Sequence, residues 1–266
     1  MRLISICPSN TELLAFLGAE KMLVGIDDYS DWPESITHLP RLGPDLSIRM
    51  DELEKLEPDL VLASLSVPGM EKNIEELKKR NIPHIILDPQ SLDDIGQDLL
   101  TVGKACGVDA LTAYAAYTAA IDEIKSRSAA VESRPSLYWE WWPKPIFTPG
   151  NVNWLTEISE ITGGRNLFDD KDQANIQTDW EDVTNRDPDY ILLAWVGIMT
   201  DKVKPELVRK RPGYKEMKAA DEIHIMEEEL YCRPSPRLLE GAIRLGKLIH
   251  PHHFNSMEVP EFLKRV

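Results

Sequence analysis

The feature that most constrains this chain is a repetition. EPDLVLA at residues 57–63 returns 130 residues later as DPDYILLA at 187–194. Each copy is an acid, Pro, Asp and then an apolar strand. The same offset pairs Asp51 with Glu181, each seven residues before its proline, and Leu53 with Val183. Upstream, ELLAFLGAEKMLVGIDD resembles LTEISEITGGRNLFDD: a helix, a glycine turn, a strand and two Asp. Two matches in the same order predict two lobes built on one plan. The competing reading is two unrelated α/β units that share strand-entry chemistry.

The length of 266 residues suits two domains at about 150 residues each. In the first half, residues 3–6 read as a strand ending at Cys7-Pro8. A helix then opens at Ser9, with Ser9 and Glu12 at capping-box spacing, and Gly18 ends it. Residues 23–26, 60–63 and 85–87 read as strands, and 51–57 and 71–80 as helices. Such alternation predicts mainly parallel sheets covered on both faces. From 92 to 132 no strand signal appears. Residues 109–132 are Ala-rich without Gly or Pro, and 24 helical residues would span about 36 Å. That is long enough to cross between two domains. After Arg134-Pro135 the alternation resumes, giving domains at 1–90, 91–134 (connector) and 135–266. A pocket is expected between the lobes, on the loops after the strands.

Lys and Arg total 30 against 45 Asp and Glu, a net charge of −15. This argues against nucleic acid and anionic membrane partners and leaves a basic protein face attractive. Cys7, Cys106 and Cys232 are far apart and form no metal or disulfide pattern, so they read as buried apolar residues. No run of 18 apolar residues exists, so no membrane insertion is expected. Met1-Arg2 leads straight into a strand-like run. The protein is then extracytoplasmic (periplasmic or cell-surface) if a leader precedes it, and cytoplasmic if Met1 is the native start.

Seven Trp against five Phe is an unusual ratio. Tyr29 and Trp32 lie in the loop after the second strand, Trp139, Trp141 and Trp142 in YWEWWPKP, and Trp195 at the end of YILLAW. Loop and strand-end aromatics suit a large, flat ligand; ordinary packing is the alternative, with Trp154 and Trp180 read first as core. Arg233, in YCRPSPR, could fork to ligand oxygens or pair with the acids at 227–229. Asp51 and Glu181 either serve their helix dipoles or present matched charges to a two-fold partner. The cluster His250, His252, His253 reads as a solvated turn, not a metal site. No phosphate loop or nucleophile motif is present.

The segments SICPSNTELLAFLGAEKMLVGIDDYSDWP, LPRLG, LEPDLVLAS, TGGRNLF, RDPDYILLAW and RPSPRLLEGAIRLGKLIHP together resemble the cobalamin- and iron-siderophore-binding proteins of ABC importers, the cobalamin branch most of all. The resemblance covers nearly the whole chain. It implies two Rossmann-like lobes, one rigid spine helix and a ligand cleft between the lobes. Ligand contacts would come from Tyr29, Trp32, Trp139, Trp141, Trp142, Trp195, Glu229 and Arg233. An acid shared with the family becomes Glu229 here, and a ring expected at Ser64 is missing. Asp51 and Glu181 match the family's acids that dock on the importer.

The function so implied is capture of a corrinoid, without catalysis or cofactor, by a monomer that delivers it to permease subunits if exported. An Fe-siderophore or haem on the same fold is an alternative, with Tyr29 or His38 as the haem ligand. An intracellular corrinoid carrier or sensor is another. A hydrolase or metal-dependent enzyme has only the histidine cluster and the acids to recommend it.

Overall fold

Each half of the chain builds a four-stranded parallel sheet, and the strand order is the same in both. The computed structural model describes residues 1–264. The first half runs β1 (Leu3–Ser5), α1 (Pro8–Phe16), β2 (Leu23–Ile26), α2 (Met50–Lys55), β3 (Leu60–Ser64), α3 (Glu71–Lys79), β4 (His84–Leu87), α4 (Leu92–Cys106) and α5 (Leu111–Ser128). The second half runs β5 (Ser136–Glu140), β6 (Trp142–Pro143), β7 (Ile146–Pro149), α6 (Trp154–Ile161), β8 (Arg165–Asn166), β9 (Asn175–Thr178), α7 (Trp180–Arg186), β10 (Tyr190–Leu193), α8 (Glu206–Arg209) and β11 (Ile223–Ile225). It ends with α9 (Glu228–Tyr231), α10 (Leu238–Ile249), α11 (Pro251–Phe254) and α12 (Glu261–Lys264).

The sheets are ordered β2-β1-β3-β4 and β11-β10-β5-β8. Thus β1 matches β5, β2 matches β8, β3 matches β10 and β4 matches β11. The repeat read from the sequence is therefore a repeat of topology. It extends to single bonds. Asp59 accepts the backbone N–H of Arg2 at 2.6 Å, at the entry to β1. Asp189 accepts the backbone N–H of Ser136 at 2.8 Å, at the entry to β5. The aspartate after each proline thus ties the sheet's central strand to its neighbour. Glu57 and Asp187, the acids before the prolines, both sit at φ 47°, in the left-handed region that disfavours a side chain.

The chain divides into two units. The first comprises Met1–Thr118, Pro234–Pro236 and the segment from Pro260 onward; the second comprises Ala119–Arg233 and Arg237–Val259. The first boundary falls inside α5. That helix has 18 residues, about 27 Å, shorter than the 24 expected. Asp109 starts it by accepting the Leu111 N–H at 3.0 Å, and a turn at residues 129–130 follows it.

Each unit has its own apolar core. In the first, Ile4, Ile6, Leu53, Val61, Ile74 and Leu77 pack together. In the second, Tyr138, Phe168, Val183, Ile191, Leu193 and Val208 do so. Each such side chain contributes about 1.5–3 kcal/mol by leaving water. All three cysteines are free and buried.

Two further expectations are corrected. The capping box at Ser9 and Glu12 does not form: α1 starts at Pro8 with Cys7 as an N-cap whose side chain makes no capping bond to the helix backbone. Nearly the whole helix is buried, and Glu12 instead accepts a bond from Ser235 Oγ at 2.5 Å. A capping box does form at Ser91 and Asp94, opening α4. In addition, simple alternation fails after β5, where β6, β7 and β9 form a separate antiparallel sheet.

Candidate functional site

In the first unit, the loop after β2 is organised around Asp27, which is fully buried. Its carboxylate accepts the backbone N–H groups of Tyr29 (2.8 Å) and Ser30 (3.1 Å) and the Ser30 hydroxyl. Ser30 Oγ also meets Thr11 Oγ1 at 2.7 Å, and Thr11 donates to Ser5 Oγ at 2.8 Å. The Arg41 guanidinium donates to the carbonyls of Asp27 and Ser30. Burial raises the Asp27 carboxyl to about 6, against the pull of the Ser30 and Tyr29 bonds. This polar web fixes the turn from which Tyr29 projects, and the Tyr29 side chain is left in solvent at 54 % exposure. Trp32 packs on Phe16 with ring centroids 5.3 Å apart, and Phe16 meets Phe262 at 6.2 Å. Ser64, where the family pattern expects a ring, is buried at the end of β3 and its hydroxyl meets Ser66 Oγ at 2.8 Å.

In the second unit, the carboxyl ends of β5, β10 and β11 lie side by side. Glu140, the last residue of β5, is fully buried. It binds the Arg211 guanidinium through both oxygens, at 2.5 and 3.0 Å. It also accepts the Tyr138 hydroxyl at 2.8 Å and the Trp195 indole N–H at 3.2 Å. A bidentate charged pair of this kind fixes orientation as well as charge. Arg211 further stacks over the Trp180 ring at 4.8 Å. Burial, then the Glu140 charge, pushes the Tyr138 phenol well above its usual range.

The sequence-nominated aromatics separate accordingly. Trp139 is fully enclosed, with its indole N–H on Ser159 Oγ at 2.9 Å and its ring 5.5 Å from Tyr231. It is a core residue with no surface for a ligand, because a strand covered on both faces buries both of its sides. Trp141 is 9 % exposed and packs on Trp154 at 5.6 Å. Trp142 is 41 % exposed, with its N–H on the Lys144 carbonyl at 3.1 Å. Trp195 lies just beyond β10 and is 5 % exposed. Trp154 is core, whereas Trp180 is only half-buried.

Arg233 is 9 % exposed and pairs with Glu228 at 2.9 Å, so one of the nominated neighbouring acids does bind it. Glu229 is half-buried on α9. Asp51 and Glu181 are exposed in the first turns of α2 and α7; Asp51 meets Arg80 at 2.6 Å. His250 Nε2 lies 3.1 Å from the Gly163 carbonyl, and among the described residues no three metal-ligating side chains cluster.

The Asp27 web and the Glu140–Arg211 pair were not nominated from the sequence. Glu140 stood in view within YWEWW, but its partner is 71 residues away and no local pattern joins them.

A curated relative, an uncharacterised ABC transporter substrate-binding lipoprotein of Bacillus subtilis, is 27 % identical over 96 % of this chain and 82 % of its own length. A vitamin B12-binding protein of Yersinia pestis is 27 % identical over 92 % of this chain and 84 % of its own. The solved periplasmic heme-binding protein RhuT of Roseiflexus superposes with a TM-score of 0.81 at 19 % identity, covering 94 % of this chain and 98 % of that one. Residues 3–227 match the periplasmic binding protein family. With paired parallel sheets of one strand order and a family match over most of its length, the chain belongs to the periplasmic binding proteins, the substrate-binding proteins of ABC importers.

Proposed function

We propose that the chain captures a corrinoid and delivers it to an ABC importer, acting extracytoplasmically as a binder and not as an enzyme. The observation that carries this is that large rings are left in solvent, Tyr29 in the loop after β2 at 54 % and Trp142 on β6 at 41 % exposure. Exposed rings on a fixed backbone suit a broad, partly apolar ligand face. Support also comes from the vitamin B12-binding relative, similar over most of both chains. Trp32, Trp141, Trp195 and Glu229 would frame these contacts. Arg233, with its Glu228 pair, would present a fixed polar edge for ligand amides. Asp51 and Glu181, exposed at matching points of the repeat, would dock on basic permease residues.

The test is a cyanocobalamin titration followed by Trp fluorescence and calorimetry. Saturable quenching and heat are expected, and Trp142→Ala should weaken binding about tenfold, or about 1.4 kcal/mol, at unchanged melting temperature. Absence of both signals at high micromolar ligand would remove the corrinoid reading. Haem is the second reading, favoured by the exposed Tyr29 phenol. Hemin binding with a Soret band lost in Tyr29→Phe would select it.

A further inference from the structure

The charge of this chain is distributed unevenly, and one segment reverses its sign. Residues 202–218 hold seven basic residues and two acids, a local charge of +5 in a chain of −15, so the remainder carries −20. Three of the seven are engaged: Arg211 with buried Glu140, Arg209 with Glu206 at 3.3 Å, and Lys218 with Asp187 at 3.4 Å. Lys202, Lys204, Lys210 and Lys215 are exposed and, among the described residues, make no ion pair. Between and beside them stand two exposed apolar side chains, Met199 at 63 % and Leu207 at 50 %. Leu207 lies on α8, flanked by Lys204 and Lys210.

Within the same segment the other apolar side chains Val203, Val208 and Met217 are buried. Met199 and Leu207 thus break the pattern of their own segment, and they do so amid lysines. The acids nearby are Asp201, Glu206 and Glu216 on the segment, Glu181 and Asp182 on α7, and Asp187 just after it.

The segment is tied to α7. The Trp180 indole N–H donates to the Pro212 carbonyl at 2.7 Å, and the Lys218 N–H donates to Asp187 Oδ1 at 3.0 Å. Glu181, proposed above as a permease contact, is on that same helix. A helix that meets a permease is also close to the lipid headgroups around it. Charge interactions in salt water fade over about 8–10 Å, so the facing patch, not the net charge, decides what the bilayer feels.

We infer that residues 199–215 of the second unit rest on an anionic phospholipid surface, with Lys202, Lys204, Lys210 and Lys215 at the headgroups and Met199 and Leu207 in the interface. Lysines near such a surface each add to attraction, and apolar side chains add burial at the headgroup boundary. The orientation rests on the docking role of Glu181; the lipid affinity itself does not.

The test is sedimentation with phosphatidylcholine vesicles, with and without phosphatidylglycerol, at about 0.1 M and about 1 M salt, where screening shortens to about 3 Å. About tenfold more protein should sediment with the anionic vesicles at low salt, and the excess should vanish at high salt. Reversing Lys202, Lys204, Lys210 and Lys215 to Glu should abolish the excess with an unchanged circular-dichroism melt. Met199→Ser with Leu207→Ser should lower binding severalfold but keep the preference for anionic lipid. Glu181→Ala should leave vesicle binding intact while weakening permease binding, which separates the two readings. Equal sedimentation with both vesicles, or a charge-reversed variant that still binds, would overturn the assignment. Binding to immobilised polyglutamate but not to anionic vesicles would also overturn it, in favour of an acidic polypeptide.

Discussion

The two units share a strand order and even the aspartate that ties down the central strand, yet Asp27 in the first and Glu140 in the second, both fully buried, are satisfied in opposite ways. The first unit surrounds Asp27 with neutral donors, and half-buried Asp98 on α4 has, among the described residues, no hydrogen-bond partner for Oδ2. Burial then drives both carboxyls upward, Asp27 to about 6 and Asp98 to about 7. The second unit gives Glu140 an arginine, a phenol and an indole. One backbone plan therefore supports two electrostatic solutions. The plan resides in local strand-entry chemistry; the solutions reside in contacts distant along the chain.

This contrast can be broken from either side. The largest effect is expected at Glu140→Ala, which strands the Arg211 cation in the second unit. A loss of about 3–5 kcal/mol in urea unfolding is expected; a loss under about 1 kcal/mol would show that the pair does not organise the strand ends. Next comes Asp98→Asn. A raised carboxyl pKa means that the folded state keeps a proton that the unfolded state has lost. Stability from this group falls as pH rises from about 4 to about 7, and the full cost is present above pH 7. The amide should gain about 2 kcal/mol at pH 8, after allowance for its partial exposure, and nothing at pH 4. Equal gains at both values would contradict the assignment.

Smaller effects probe the symmetry itself. Asp59→Ala and Asp189→Ala should each cost about 1–2 kcal/mol, with Asp189 the more costly because it also accepts the Ser136 hydroxyl at 2.8 Å. Smallest is relief of the left-handed backbone. Glu57→Gly should stabilise by about 0.5–1 kcal/mol. Asp187→Gly should come out near zero, since it also loses the bonds from Lys218. A reversed order in chemical denaturation would refute this account.

Those equivalences explain what was legible in the sequence. The Pro-Asp entries, the glycine after α1 at φ 66° and the strand runs act over a few residues, so pattern reading finds them. The β6-β7-β9 sheet escaped because β6 has two residues and β7 and β9, IFTP and NIQT, lack the unbroken apolar run that marked the other strands. The role of Trp139 escaped for another reason. In β5 both Tyr138 and Trp139 are fully buried, so alternation carries no sign of which ring faces out. For the candidate site, Tyr29 and Trp142 emerged as exposed rings, while their supports at Asp27 and Glu140 depended on Thr11 and Arg211, out of reach of any local motif.

The bond from Ser235 to Glu12 spans 223 positions and has a consequence for synthesis. The first unit includes Pro234–Pro236 and the segment from Pro260 onward. It is therefore the first to leave the ribosome and the last to be complete. While the second unit is being translated, α1 waits with Glu12, buried in the finished fold, lacking the serine that will hold it. A nascent chain halted before residue 234 should expose that helix to proteases, whereas the finished chain should protect it.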